Sequence, residues 1–208
     1  MTSNLCAVRR PAGGACPASD YQQVEPVILG AAPTCAGCGR YTSVRPWLPP
    51  HFALLEQWGE GWADVAFGTS LELLVSERLL RVVRTAGLDG FADASVVTIT
   101  RPIRVVRANA ARPRYFAVRP PQHRLEIDFA RSGIRWARGR ICPECGLGDG
   151  PWTAHGIVCQ ATGTKMPGLC YPVGLPGVCV ASPDFVELAR VHALSGFDLT
   201  PLSDLVRG

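Results

Sequence analysis

Two Cys-x-x-Cys-Gly segments, Cys35-Ala36-Gly37-Cys38-Gly39 and Cys142-Pro143-Glu144-Cys145-Gly146, constrain this chain more than any other feature of its sequence. A Cys-x-x-Cys turn aims two thiolates at one point, and the following glycine permits the tight backbone that lets amides face the sulfurs. One such knuckle supplies half of a tetrahedral metal site, and two supply all of it. A site of four thiolates is closed and structural, because no coordination position is left for water. The spacing therefore predicts one structural Zn2+ per chain, held by Cys35, Cys38, Cys142 and Cys145 in a zinc-ribbon-like site with a large insertion. Binding free energy on the order of 10 kcal/mol then becomes folding free energy.

Three other uses of these cysteines are weighed against that site. A local set of Cys142, Cys145, His155 and Cys159 has acceptable spacing but leaves Cys35 and Cys38 idle. Redox chemistry of the thioredoxin type places its Cys-x-x-Cys at the start of a helix after a strand, unlike a glycine-flanked knuckle. A zinc deaminase needs His-x-Glu and Pro-Cys-x-x-Cys, and here Pro143 follows Cys142 instead of preceding it. The nine cysteines are an odd number, which fits a fully paired disulfide framework poorly. The opening Met-Thr-Ser-Asn-Leu-Cys has no apolar stretch of the kind an export signal carries, and no apolar run approaches the roughly 20 residues of a membrane helix. A cytoplasmic, reducing setting is expected, in which thiols bind metal rather than pair. Cys6, Cys16, Cys170 and Cys179 then read as small apolar residues.

Around the knuckles the chain reads as two halves built alike. Leu71 to Val75 has strand composition, Ser76 can cap a helix, and Leu79, Val82, Val83 and Ala86 form one helical apolar face that ends near Leu88-Asp89-Gly90-Phe91. The same unit recurs near the C-terminus: strand Val178 to Ala181, cap Ser182, Pro183 at the first helical position, face Phe185, Leu188, Ala189 and His192, then Leu194-Ser195-Gly196-Phe197. The helices are offset by 106 residues and the knuckles by 107. The expected fold is α+β, with two pseudo-repeated halves, each a zinc knuckle plus a strand–helix unit, joined at the shared four-cysteine site. Residues 1–23, with Pro11, Gly13, Gly14 and Pro17, read as a flexible arm. Residues 24–208 read as one double-CXXCG domain: half one 24–100, an Arg-rich connector 101–140, and half two 141–208. Leu54, Leu55, Trp58 and Trp62 read as a short helix ended by Gly59 or Gly61.

No catalytic constellation stands out. His51, His123, His155 and His192 lie in unrelated contexts, and His192 falls on the inner helix face, where a satisfied core histidine is the usual role. Glu56, Glu60 and Asp64 share a helical spacing that a solvated face explains, and the glycines from Gly146 to Gly150 follow a knuckle, not a strand. The charge of +4 is uneven: eleven arginines and only Glu126 and Asp128 lie between Arg101 and Arg140. Arg101, Arg104, Arg107, Arg112, Arg114 and Arg119, interleaved with Tyr115 and Phe116, could grip nucleic-acid phosphates, although they keep no single period.

The order Cys-x-x-Cys-Gly, Leu-Val-Ser-Glu-Arg-Leu-Leu, Gly-Leu-Asp-Gly-Phe, Cys-x-x-Cys-Gly and a terminal Ser-x-x-Phe helix resembles the myxobacterial double-CXXCG motif proteins over about residues 30 to 200. That resemblance implies an immunity protein of a Sit-type polymorphic toxin system, which neutralises a cognate toxin domain by protein–protein contact and is not an enzyme. The Arg-rich middle and the N-terminal stretch match no motif of that family. Tryptophan and arginine are the usual interface anchors, so Trp58, Trp62, Arg112, Arg114, Trp136, Arg138 and Trp152 are the candidate partner-binding residues. A nucleic-acid-binding zinc ribbon using Arg101 to Arg140 is the alternative.

Overall fold

A computed structural model describes residues 5–11, 17–59, 61–103, 111–138, 140–161 and 165–207. It is mixed α+β, mostly strands, with two helices. The first part of the chain forms β1 (Cys6–Arg9), β2 (Ala18–Gln23), β3 (Ile28–Leu29), β4 (Trp47–Leu48), β5 (His51–Trp58), β6 (Val65–Phe67), β7 (Leu73–Ser76), α1 (Glu77–Thr85) and β8 (Ser95–Ile103). There follow β9 (Tyr115–Val118), β10 (Gln122–His123), β11 (Leu125–Ile127), β12 (Arg135–Arg138), β13 (Asp149–His155), β14 (Cys159–Ala161), β15 (Leu169–Pro172), β16 (Cys179–Ala181), α2 (Pro183–Val191) and β17 (Asp198–Pro201). A 3-10 turn, Leu202–Asp204, and β18 (Val206–Arg207) end the described chain.

Six strands close a barrel in the order β2-β5-β8-β9-β7-β6, and five make a sheet in the order β10-β15-β16-β1-β17. The hairpins carrying the helices have equivalent registers: Val65 faces Val75 and Ala66 faces Leu74 in one, while Leu169 faces Ala181 and Cys170 faces Val180 in the other. Both helices are nine residues long, and each is capped by the side chain of the preceding serine: Ser76 accepts from the Leu79 amide and Ser182 from the Phe185 amide. The capping expected from sequence is thus present in both units. The inner faces differ slightly from expectation, since Leu80 is buried with Leu79 and Val83, while Ala86 and His192 are exposed at the helix ends.

Three expectations need correction. The stretch read as a flexible arm contains β1, in which Cys6, Ala7 and Val8 are buried between β16 and β17, and β2, which turns Ser19 and Tyr21 inward. Gly13 and Gly14 lie outside the described residues, and together with Pro11 and Pro17 they hid two short strands from the sequence pattern. The segment around Leu54 and Trp58 is β5, not a helix. Its buried set is His51, Ala53, Leu55 and Gln57, a period of two in which two polar members hid the alternation. The stretch 101–140 is not a connector, because it carries strands β9 to β12 and β9 lies between β7 and β8 in the barrel wall. Among the described residues no helix is long and apolar enough to cross a membrane.

Candidate metal centre

Each knuckle is a loop closed by the same two backbone hydrogen bonds. The Gly39 amide donates to the Cys35 carbonyl at 2.8 Å and the Cys35 amide to the Arg40 carbonyl at 2.8 Å. In the second knuckle the Gly146 amide donates to Cys142 at 2.8 Å and the Cys142 amide to Leu147 at 3.0 Å. Gly39 and Gly146 have φ of +70° and +68°, the left-handed conformation that glycine adopts at least cost. The first knuckle lies between β3 and β4, which pair through Ile28 and Leu48, and the second between β12 and β13, which pair through Trp136 and Trp152.

These loops bring the four sulfurs together across the molecule. Cys35 Sγ lies 3.9 Å from Cys142 Sγ, Cys38 Sγ lies 3.7 Å from Cys145 Sγ, and all four lie within 4.8 Å of one another. A tetrahedron of sulfurs about 2.3 Å from a central ion has edges of about 3.8 Å. The residues therefore fit a metal ion held by four thiolates. Cys35, Cys142 and Cys145 are buried and only Cys38 is exposed, so water has little access to the centre.

The electrostatics of the cluster suit a bound cation. The backbone amides of Cys145 and Glu144 pull the Cys142 thiol down to about 7, whereas burial pushes Cys145 up to about 12. Four sulfurs this close cannot all ionise together unless positive charge sits among them. Glu144 adds to the demand, because its Oε2 lies 3.7 Å from Cys35 Sγ. Its carboxylate occupies the space in which a Cβ on Gly37 would stand, so a side chain there would displace the exposed end of Glu144. Arg40 ties the knuckles from outside, donating from Nε to Asp149 Oδ1 at 2.9 Å and from Nη1 to the Leu147 carbonyl at 3.3 Å.

The local alternative is not assembled. His155 is exposed on β13 and Cys159 sits on β14 opposite Ile127; neither joins the cluster, the one metal-competent group among the described residues. Burial raises the thiols of Cys159, to about 11, and Cys170, to about 12, which suits inert apolar residues.

The proposed partner residues do not form one patch. Trp152 is buried, at 4% exposure, beside half-buried Trp136, with ring centroids 6.1 Å apart. Trp152 is therefore chiefly a core residue, not an exposed anchor. Trp58 ends β5 and Trp62 packs on the barrel interior, both half-buried. Arg114 is bound to Glu77 at the start of α1, and Arg112 and Arg138 are exposed. Sequence reasoning missed a groove of about 450 Å³ lined by Tyr41, Val44, Leu71, Trp136, Trp152 and Tyr171 among others, none of whose lining residues is charged. Tyr41 and Val44 are exposed there, at 70% and 47%; their position just after the first knuckle was the available signal. Compared with known proteins, the chain matches no family model and no curated protein sequence.

Proposed function

We propose that this chain is a non-catalytic binding protein in which zinc is structural and the surface binds and neutralises a partner protein, as an immunity protein does its toxin. The observation that carries the reading is the four-cysteine cluster: sulfurs within 4.8 Å of one another, three of the cysteines buried, so that an ion held by all four has no open position for substrate or water. Tetrahedral sulfur ligation suits zinc or iron, and a redox-silent zinc ion matches a structural role. The matched knuckle hydrogen bonds, the matched hairpin registers and the paired serine caps support an internal duplication whose halves share the ion.

A protein partner is favoured over nucleic acid by how the arginines are used. Arg119 donates to Glu72 at 2.6 Å and to the Val44 carbonyl at 2.6 Å, Arg114 is taken by Glu77, and Arg40 by Asp149. Arg101 is on the barrel while Arg135 and Arg138 are on the β12 sheet, so the basic stretch is divided between sheets; Arg104 and Arg107 lie outside the described residues. The uncharged groove with Tyr41 and Val44 suits aromatic and aliphatic side chains of a protein better than a phosphate backbone. The reading predicts a toxin gene beside this one; coexpression of the chain with that toxin is expected to rescue growth, and Tyr41→Asp to weaken that rescue. Failure of the wild-type chain to rescue removes the immunity reading. Steeply salt-dependent binding to DNA or RNA would favour the nucleic-acid alternative.

A further inference from the structure

The strands β1 and β9 take the same place in the two sheets. Cys6, Ala7 and Val8 face Ala181, Val180 and Cys179 of β16, while Phe116, Ala117 and Val118 face Val75, Leu74 and Leu73 of β7. On the other side, Ala7 faces Thr200 of β17 and Ala117 faces Ser95 of β8. The strand orders agree throughout: β10-β15-β16-β1-β17 in the sheet corresponds to β2-β6-β7-β9-β8 in the barrel wall, with β5 closing the latter. The sequences agree as well, Cys6-Ala7-Val8-Arg9 against Phe116-Ala117-Val118-Arg119. Pro46-Trp47 on the β4 side and Pro151-Trp152 on the β13 side extend the match.

The contacts between the halves are reciprocal. The Asp64 amide donates to the Ser195 carbonyl at 3.0 Å, and the Gly168 amide donates to the Asp89 carbonyl at 2.9 Å. Within each repeat the matching bond is made by the Ser76 amide to the Asp64 carbonyl at 2.8 Å and by the Ser182 amide to the Gly168 carbonyl at 2.9 Å. The central core repeats the pattern in its pairs Val8 and Val118, Val65 and Leu169, Leu79 and Phe185, and Val83 and Ala189. Ala7 belongs to the core with Trp152 and Leu175, whereas Ala117 belongs to the core inside the barrel with Tyr21 and Leu55.

We infer that the chain is a covalently joined pseudo-dimer of two repeats, 5–103 and 115–201, whose opening strands are exchanged, each completing the sheet of the other repeat. This inference rests on the duplication proposed above and changes the part assigned to the metal. Exchanged central strands interlock the repeats without help from zinc, so the ion secures the knuckle loops and not the union of the halves. Two-repeat interlocking also identifies the partner that each repeat's interior sheet surface fits: the other repeat.

Hydrogen exchange of the full-length zinc protein tests it. Ala7 and Ala117 are 2% and 3% exposed, so an aspartate at either site buries an unpaired charge. Ala7→Asp is expected to lower protection at least about tenfold in β16, β17 and α2 while β2 and β5 keep theirs. Ala117→Asp is expected to do the reverse, loosening β7, β8 and α1 and sparing β15 and β16. If either variant does not fold, Ala7→Gly and Ala117→Gly are read instead, with losses of about two- to fivefold in the same strands. Loss confined to each strand's own repeat, or spread equally over both, overturns the exchange. Metal content is measured on the same samples. About one zinc per chain with the wrong protection pattern defeats the exchange and leaves the shared site standing; the expected pattern with no shared zinc does the opposite.

Discussion

Asp64 shows how a single side chain can join elements distant in sequence. It accepts from Ser76 Oγ at 2.6 Å, from Arg78 Nη2 at 2.6 Å and from the Ser195 amide at 2.9 Å. Burial alone would raise its pKa, but hydrogen bonds from Arg78, Ser76 and Ser195 outweigh that and hold it below the usual carboxylate value. Arg78 in turn donates to the carbonyls of His192 and Ala193 at 3.1 and 2.9 Å, neutralising the end of α2. His51 is a contrasting case. It is 4% exposed, packed 4.4 Å from the Trp47 ring, and its Nδ1 has no hydrogen-bond partner among the described residues. Burial depresses its pKa below 6.5, with Glu72 opposing. The unfolded chain therefore takes up the proton at a higher pH than the folded one. His51 favours folding most above its unfolded pKa, and this contribution is lost as pH falls from there toward the folded pKa. His51→Phe keeps the ring contact and removes the proton. Urea titrations at saturating zinc, from about pH 7.5 to 5.5, are expected to show wild type losing stability relative to this variant, by at most about 1.4 kcal/mol per pH unit. Parallel profiles would contradict a histidine buried in its neutral form.

The Leu-x-Gly-Phe turns after the two helices dock in the same way, each against a backbone carbonyl. A Cβ on Gly90 would stand 2.8 Å from the Leu169 carbonyl oxygen, and one on Gly196 would stand 2.5 Å from that of Val65. Both glycines have positive φ, +99° and +92°. Gly90→Ala and Gly196→Ala are each expected to cost roughly 2–4 kcal/mol, because backbone strain is added to a collision with backbone. Gly87→Ala, with φ of +64° and nothing within 4 Å, should cost only about 1 kcal/mol in the same denaturation measurement. Equal losses at all three would mean that the docked turns contribute nothing beyond their φ. These turns, the serine caps and Pro183 were legible in sequence because capping and turn chemistry are local. The strands were less so. β1 and β9 are four residues each, too short for alternation to register, and β5 hides His51 and Gln57 on its buried face. Gln57 is held there by the Gly61 carbonyl at 2.8 Å and by Ser19, partners that no local pattern reveals.

At the scale of the whole molecule, three apolar cores divide the chain. One lies inside the barrel, one under the second sheet, and a central one gathers residues of the barrel wall and the five-stranded sheet around α1 and α2. The knuckles form a fourth, small cluster of Cys35, Cys142, Cys145 and Leu147 with Trp136 against it. Their spacing in sequence announced the four-cysteine cluster, since a Cys-x-x-Cys-Gly turn carries its own geometry. The groove beside them was not legible, because it is made where Tyr41 and Val44 meet Trp136 and Tyr171, residues about a hundred or more positions away in sequence. The central claim is that two loops 107 residues apart close on one ion. Metal analysis combined with X-ray absorption on the purified chain tests it most directly. The expected result is about one zinc per chain with four sulfur neighbours at about 2.3 Å, lost equally in Cys35→Ser and Cys142→Ser. Nitrogen or oxygen in the inner shell, or metal retained after Cys35→Ser but lost after Cys142→Ser, would contradict it.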